Sequence, residues 1–578
     1  MSKASTSAKA AALAAASALL LAACGGSDGD GAAASGEAAE AVKGGTLNFI
    51  TQGEQIQHLD PQRNYTGEDL AFTTAYLNRT LVQYALSADD AEAGKLVPDM
   101  ATDTGTPTEG GKVWSFTLKD GMKWEDGTPI TCADVKYGVS RTFATDIITD
   151  GPTYAISLLD IPKDDDGNSQ YKGPYSGDGQ ELFDQAVTCS EDNKTITFNL
   201  VRAAADFNYT TTLTAFAPVP EAKDTGEKYT TAPVSSGPYK IQEYTVGDKL
   251  VLVRNEQWDP ATDDYRGAWP DEVVVNFGLT GSVITQRLIA DSGDDQKALG
   301  LGDNVDPAQL AAVFNDPRFE NRRFDGYDPY VRYYAINTEK VPNLEHRKAI
   351  AAAFPRADIR TISGGNFAGD LADGVIKPNL AQDYQPSGMW TGLLGAEIPD
   401  NGDPEIAKQF IADSGEPMPE LTIDYPKTEV NDKAAGAIIT ALEAAGIKAT
   451  ANPIDSGAYY GIVLDPAKAG SLLWSGWGPD WLNASTIIPE LFTPTGGFNL
   501  SLANDEAYNT KVAETLVVAD RAEQGAAWAE LNKEAMAQVW AVPTRFGKQQ
   551  RLAGSKVGGT YLWAPYGSWG YADLFVQQ

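Results

Sequence analysis

The chain has 578 residues, 42% of them apolar and 12 of them Trp, enough to bury several cores and to form roughly two to four structural units. Its formal net charge of −34 argues against nucleic acid as a partner, and fits a solvated extracellular surface or a field that draws in cations. His58 and His346 are its two histidines, which leaves no H-E-x-x-H pair, no imidazole cage and little room for a Ser-His-Asp arrangement.

Lys3 and Lys9 precede a small apolar stretch, 10–23, that runs directly into Leu21-Ala22-Ala23-Cys24. This is the layout of a secretory signal, too short and too Ala-rich to span a bilayer comfortably. Its Cys-terminated end resembles a bacterial lipobox, so the expectation is a signal peptide over 1–23 and a lipidated Cys24. Residues 24–44 are mostly Gly, Ala, Ser, Asp and Glu, the composition of a flexible linker. The G-x-S-x-G string at Gly25–Gly29 has neither the strand before it nor the helix after it that a nucleophile elbow needs. With Cys24 set aside, Cys132 and Cys189 form an even pair, either joined as a disulfide or left as two buried thiols.

Further along, Trp114 to Leu118 reads as a strand, Asp126-Gly127 as a turn and Thr131 as a helix cap. Residues 160–179 read as a solvated, insertion-like loop. Its Asp164-Asp165-Asp166-Gly167-Asn168 run fails the EF-hand spacing, because position one would be Pro162 and position twelve Gly173. Asp403-Pro404 starts a helix that Gly415 stops; Leu421–Tyr425 is a strand, Asp432–Ala445 a helix and Ile447–Ala449 a strand, together a β-α-β unit. Trp528, Leu531, Ala535 and Val539 recur at helical spacing before Val542-Pro543 breaks the helix. The class is therefore α/β with mixed sheets. No phosphate-binding loop occurs, and paired carboxylates carry no weight in so acidic a chain, so neither catalytic residues, a metal nor a cofactor is expected.

Several strings resemble the extracellular solute-binding proteins of family 5, the dipeptide- and oligopeptide-binding group, over nearly the whole mature chain. They are Gly45-Thr46-Leu47 with His58-Leu59-Asp60-Pro61, Lys95 to Ala101, and above all Trp114 to Val135. Ser236-Gly237-Pro238-Tyr239, Val253-Arg254-Asn255 with Trp258, Tyr334 to Asn337, and Arg347 to Ile350 continue the match, whereas Pro355-Arg356 stands where Asp-Arg is usual. The resemblance implies a bilobed fold of the periplasmic-binding-protein type: lobe 1 over 45–281 with an extra subdomain at about 66–185, lobe 2 over 282–544, and a return segment, 545–578. Two hinge strands, near Leu279 and Thr544, would join the lobes.

In peptide-binding members an aspartate in a GWxxDYxDP string holds the ligand's α-ammonium, and Gly476 to Ala484 resembles that string. Asp480 is thus the expected ligand-binding carboxylate, with Trp477, Trp481 and Trp474 as cleft aromatics. Otherwise the three Trp are core and Asp480 caps a helix beginning near Leu482. Asn483-Ala484 replaces the string's Asp-Pro, and Trp474 stands where some oligopeptide binders carry a basic residue. The implied function is capture of extracellular peptides by lobe closure. A lipid-anchored monomer on the outer face of the cytoplasmic membrane would deliver them to the transmembrane subunits of an ABC permease. An oligosaccharide binder of the same family is the alternative, and a lipoprotein hydrolase a remote one.

Overall fold

The computed structural model of the protein describes residues 41–577, so the expected signal peptide, Cys24 and most of the 24–44 linker lie outside the described residues. β1 (Thr46–Ile50) buries Leu47 and Phe49 completely and leaves Thr46 and Asn48 partly exposed, the alternation of a half-buried strand. β2 (Thr106–Thr108), β3 (Val113–Thr117), β4 (Val187–Cys189) and β5 (Thr195–Asn199) make an antiparallel sheet in the order β2-β3-β5-β4. Its apolar face packs Trp114, Phe116 and Phe198 into a cluster that includes Trp124, Phe143 and Phe207. β6 (Tyr239–Thr245), β7 (Lys249–Arg254), β8 (Glu272–Asn276) and β9 (Ala298–Gly300) then join β1 in a five-stranded mixed sheet, ordered β9-β1-β8-β7-β6.

β10 (Arg323–Ile336), β11 (Gly369–Leu371), β12 (Leu421–Pro426), β13 (Ala449–Ile454), β14 (Leu472–Trp477) and β15 (Ala541–Leu552) build a six-stranded mixed sheet. Its order is β11-β15-β10-β14-β12-β13, with β12 parallel to both neighbours. β10 and β15 are antiparallel partners that extend beyond this sheet: Ala553, just after β15, bridges Leu299 of β9. Their register shifts between Tyr327 and Val331, so the pair bends where it leaves one sheet for the other. β9 falls within the range expected for the second lobe, 282–544, yet hydrogen-bonds to β1.

α1 (Gly67–Tyr76) packs Phe72 and Tyr76 onto Phe49 of β1. In α2 (Cys132–Arg141) Thr131 and Asp134 form the reciprocal capping box that satisfies the first-turn N–H groups. α3 (Pro404–Ser414) is capped by Asp403, which accepts the Glu405 and Ile406 N–H groups, and stops at Gly415 in the left-handed region. α4 (Glu429–Ala444) connects the parallel pair β12 and β13, completing the expected β-α-β unit. α5 (Arg521–Ala537) is the expected C-terminal helix, but Val542-Pro543 does not end it. The helix stops earlier, Val539 takes a positive φ of 51°, and Pro543 lies inside β15 at a register shift opposite Tyr333, where a missing N–H is tolerated. The 160–179 loop is pinned rather than wholly solvated, because Tyr171 is fully buried and stacks on Phe183 at 4.7 Å.

Cys132 and Cys189 are joined as a disulfide, with Cα atoms 5.9 Å apart, tying α2 to β4. The bond closes a loop of 57 residues, for which chain entropy gives about 4 kcal/mol. The Cys132→Ser/Cys189→Ser variant is expected to lose stability of that order in urea unfolding.

A pH effect follows from Asp69 in the first turns of α1. Its buried carboxylate accepts the Gln57 N–H at 3.0 Å, and burial lifts its pKa to about 6. A carboxyl with a raised folded pKa takes up a proton on folding. Its favourable contribution is therefore present below the unfolded value of 3.8 and is lost as pH rises through about 6. Asp69→Asn removes that loss: relative to wild type, urea melts should favour the variant by about 3 kcal/mol more at neutral pH than at pH below 3.8.

Candidate ligand-binding site

β14 ends at Trp477, and the chain passes through Gly478 and Pro479 to Asp480 before the helical turn Ala484–Thr486. Asn483, not Asp480, caps that turn, accepting the Ser485 N–H at 2.9 Å. The Asp480 N–H donates to Thr486 Oγ1 at 3.2 Å, and Trp477 Nε1 donates to the Thr486 carbonyl at 2.8 Å. These bonds set the loop's shape. A side chain at 478 would approach the bend in β10, with a Cβ 3.1 Å from Pro329 O, so glycine permits the close passage.

The Asp480 carboxylate is free of its own helix end and meets two tyrosines from the first part of the chain. Tyr65 donates its hydroxyl to Oδ1 at 2.7 Å, and Tyr154 donates to Oδ2. Burial raises the Asp480 pKa above the usual aspartate range; the Tyr154 and Tyr65 hydroxyls oppose that rise and the Glu490 charge adds to it. Burial, then the Asp480 charge, raises the pKa of both phenols, so they remain donors. An ionised carboxylate offers about four lone-pair positions, and the tyrosines use two. Capacity remains for a cationic N–H donor.

Trp481 is buried, meets the Tyr154 ring edge-to-face at 4.8 Å, and donates its indole N–H to Asp206 Oδ2 at 3.0 Å. Ser485 also donates to Asp206, and the Leu482 N–H donates to Tyr84 Oη at 3.0 Å. Trp477 is half-buried against Phe498, with ring centroids 4.6 Å apart. Trp474 sits apart: strand alternation turns it to the face opposite Trp477, and its ring packs near Tyr459 at 6.3 Å. The geometry thus groups Asp480 and Trp481 with Tyr65, Tyr154 and Asp206, keeps Trp477 as a support of the loop, and leaves Trp474 outside the carboxylate's contacts. Tyr65, Tyr154 and Asp206 were not legible in the sequence, since each is 275 or more residues from the residue it meets and carries no local pattern. Among the described residues no cluster of three or more His, Cys, Asp or Glu could hold a metal ion, and no helix is long and apolar enough to cross a membrane.

Residues 95–499 match the profile of the bacterial extracellular solute-binding proteins, family 5 middle region. The chain is 25% identical over 442 residues to the periplasmic murein peptide-binding protein MppA of Escherichia coli K12, covering 73% of this chain and 74% of that protein. It is 24% identical over 529 residues to the periplasmic oligopeptide-binding protein OppA of the same organism, covering 88% of each. Among solved structures, the clavulanic acid biosynthesis oligopeptide binding protein 2 superposes with a TM-score of 0.83 at 28% identity, covering 93% of this chain and 96% of that one. Its architecture is accordingly that of the bilobed periplasmic binding proteins.

Proposed function

The chain belongs to family 5 of the bacterial extracellular solute-binding proteins, and from that premise we propose that it captures short peptides by lobe closure and hands them to an ABC permease. In this reading the first lobe rests on β1 and β6 to β9, with the sheet β2 to β5 as its extra subdomain, and the second on β10 to β14. β10 and β15 act as the hinge strands, bending at their register shift; β15 contains Thr544 as expected, whereas β10 takes the place of the strand expected near Leu279. Lipid on Cys24 tethers the protein to the outer face of the cytoplasmic membrane.

The observation that carries this reading is the Asp480 carboxylate, presented by one lobe and hydrogen-bonded by Tyr65 and Tyr154 of the other. An α-ammonium docked there makes charge-assisted bonds to a group that is complete only when the lobes meet, so binding shifts the population toward the closed form. Peptide is favoured over oligosaccharide because a neutral sugar brings no cation to a partly enclosed carboxylate. Native mass spectrometry of the chain beginning after Cys24, against pooled di- to pentapeptides and pooled oligosaccharides, is expected to retain peptides. Retention of sugars alone would overturn the assignment.

A further inference from the structure

Past Leu482 lies a cavity of about 560 Å³, within the roughly 300 to 1,000 Å³ typical of small-molecule pockets. One wall is drawn from the segments 90–96, 104–114 and 205–209, the other from 379–382, Leu482 and 517–524. Asp206 and Leu482 tie it to the Asp480 loop through the bond from Trp481 to Asp206, but Asp480, Tyr65 and Tyr154 do not line it. Leu96, Trp114, Leu380, Leu482 and Val518 make much of its surface apolar.

Of the charged groups in the lining, three are committed. Arg521 donates Nη2 to Asp383 Oδ2 at 2.8 Å, Lys95 pairs with Glu92, and Asp206 accepts the Trp481 indole N–H and the Ser485 hydroxyl. The fourth is Asp90. Burial, then the Asp89 charge, raises its pKa, and among the described residues no donor hydrogen-bonds its carboxylate. Lys377, the cation that opposes the rise, directs its ammonium instead to Asp328 Oδ1 at 3.2 Å and to the Tyr330 and Gly547 carbonyls. Two amide oxygens in the wall, Asn208 Oδ1 and Asn379 Oδ1, are buried without a hydrogen-bond partner. The Asn208 amide is oriented by its Nδ2, which donates to the Thr104 carbonyl at 3.1 Å, so the oxygen is its unmet end. Beside Asn379, Ala381 holds φ 45° and ψ −86°, a conformation that L residues rarely adopt and that gathers in segments clamping a ligand. The lining thus presents unmet acceptors, one of them charged, around an apolar surface.

We propose that this cavity is a second small-molecule site, separate from the one at Asp480, and that it takes an organic ammonium ion with a compact apolar body. The ammonium makes a charge-assisted bond to Asp90, a further N–H donor serves the unmet amide oxygens, and the apolar body is removed from water against Trp114 and Leu380. An anion or a molecule without N–H donors leaves those acceptors unmet and is rejected. Because the two walls belong to different lobes, an occupant binds the closed form in preference to the open one. By linkage it strengthens peptide binding, and peptide strengthens its binding by the same factor. That coupling rests on the lobe-closure reading; occupancy of the cavity does not.

Tryptamine, which carries an ammonium and an indole N–H on a compact ring system, is the probe, with indole-3-propionate as its anionic counterpart. Calorimetry on the chain beginning after Cys24 should show saturable binding of tryptamine and none of the acid. Asp90→Asn should weaken tryptamine by about tenfold or more, and Val518→Trp, which fills the cavity from a half-exposed position, should abolish its binding. Asp480→Asn should bind tryptamine as wild type does, which separates this cavity from the cleft carboxylate. Absence of saturable binding, or a loss in Asp480→Asn with none in Asp90→Asn, overturns the site. For the coupling, saturating tri-alanine should tighten tryptamine by about fivefold or more in wild type, and saturating tryptamine should tighten tri-alanine equally. Tryptamine that binds through Asp90 yet leaves tri-alanine unaffected rejects the link to closure and keeps the site. Failure of tri-alanine to bind at all counts against the peptide reading, and the site is then decided by the tryptamine titrations alone.

Discussion

Asp480→Asn is expected to weaken binding of a free-amino peptide roughly 150-fold, about 3 kcal/mol, with little change in fold stability. Asparagine keeps the size of the side chain and one carbonyl acceptor, but it removes the charge that an enclosed ammonium requires. It also adds an NH2 donor, so one of the two tyrosine hydroxyls turns from donor to acceptor to keep its bond. The same carboxylate sets a pH dependence. Because burial raises the Asp480 pKa, protonation in the free protein begins at higher pH than for an ordinary aspartate, and only the ionised form attracts an ammonium. Wild-type affinity should therefore fall as pH drops through that raised value, and the Asn variant should show no such fall. Calorimetric titrations across the acidic range check both statements.

Asp99→Ala is expected to cost about 3 to 5 kcal/mol of stability and to leave Asp480 intact. Asp99 is 1% exposed and accepts Arg79 Nε at 2.9 Å, Arg266 Nη2 at 2.8 Å and the Thr80 N–H at 3.0 Å. Arg79 and Arg266 are themselves fully enclosed, and Asp263 bonds Arg266 Nη1 at 2.9 Å. Removing one carboxylate leaves two buried guanidiniums to share Asp263. Unfolding in guanidinium chloride should show a lower midpoint, and peptide affinity measured well below the midpoint should stay within a few-fold of wild type.

Asp99 also shows what the sequence conveyed. The Lys95–Ala101 string marked a family, and its aspartate is the anchor of a buried ion network. In His58-Leu59-Asp60-Pro61, Asp60 similarly holds Arg141 of α2 through two bonds of 2.7 Å, and in the Ser236-Gly237 string Ser236 Oγ accepts the Arg79 N–H at 2.9 Å. Buried charges and tight turns accept few alternative residues at such positions, which is why fold class and local elements were readable. Lobe limits were harder. The segment containing α-helical residues 281–290 and β9 has the composition of either lobe, and its assignment depends on β9 pairing with β1, a non-local register that local pattern does not encode.

The candidate site was legible only on one side. Gly476–Asp480 stood out as a string, whereas Tyr65 and Tyr154 are brought to it by contacts 415 and 326 residues apart in sequence, which no local pattern encodes. Trp474 was drawn in by sequence proximity; in a strand, three residues' separation places it and Trp477 on opposite faces.

The central claim, that Asp480 grips a ligand ammonium, is tested most directly by a chemical double-mutant cycle. Wild type and Asp480→Asn are each titrated calorimetrically with one peptide in free-amino and N-acetylated forms. The account predicts that acetylation costs wild type about two orders of magnitude in affinity and the variant almost nothing, giving a coupling energy of about 2 to 3 kcal/mol. An equal acetylation penalty in both proteins would contradict it and place the ammonium elsewhere.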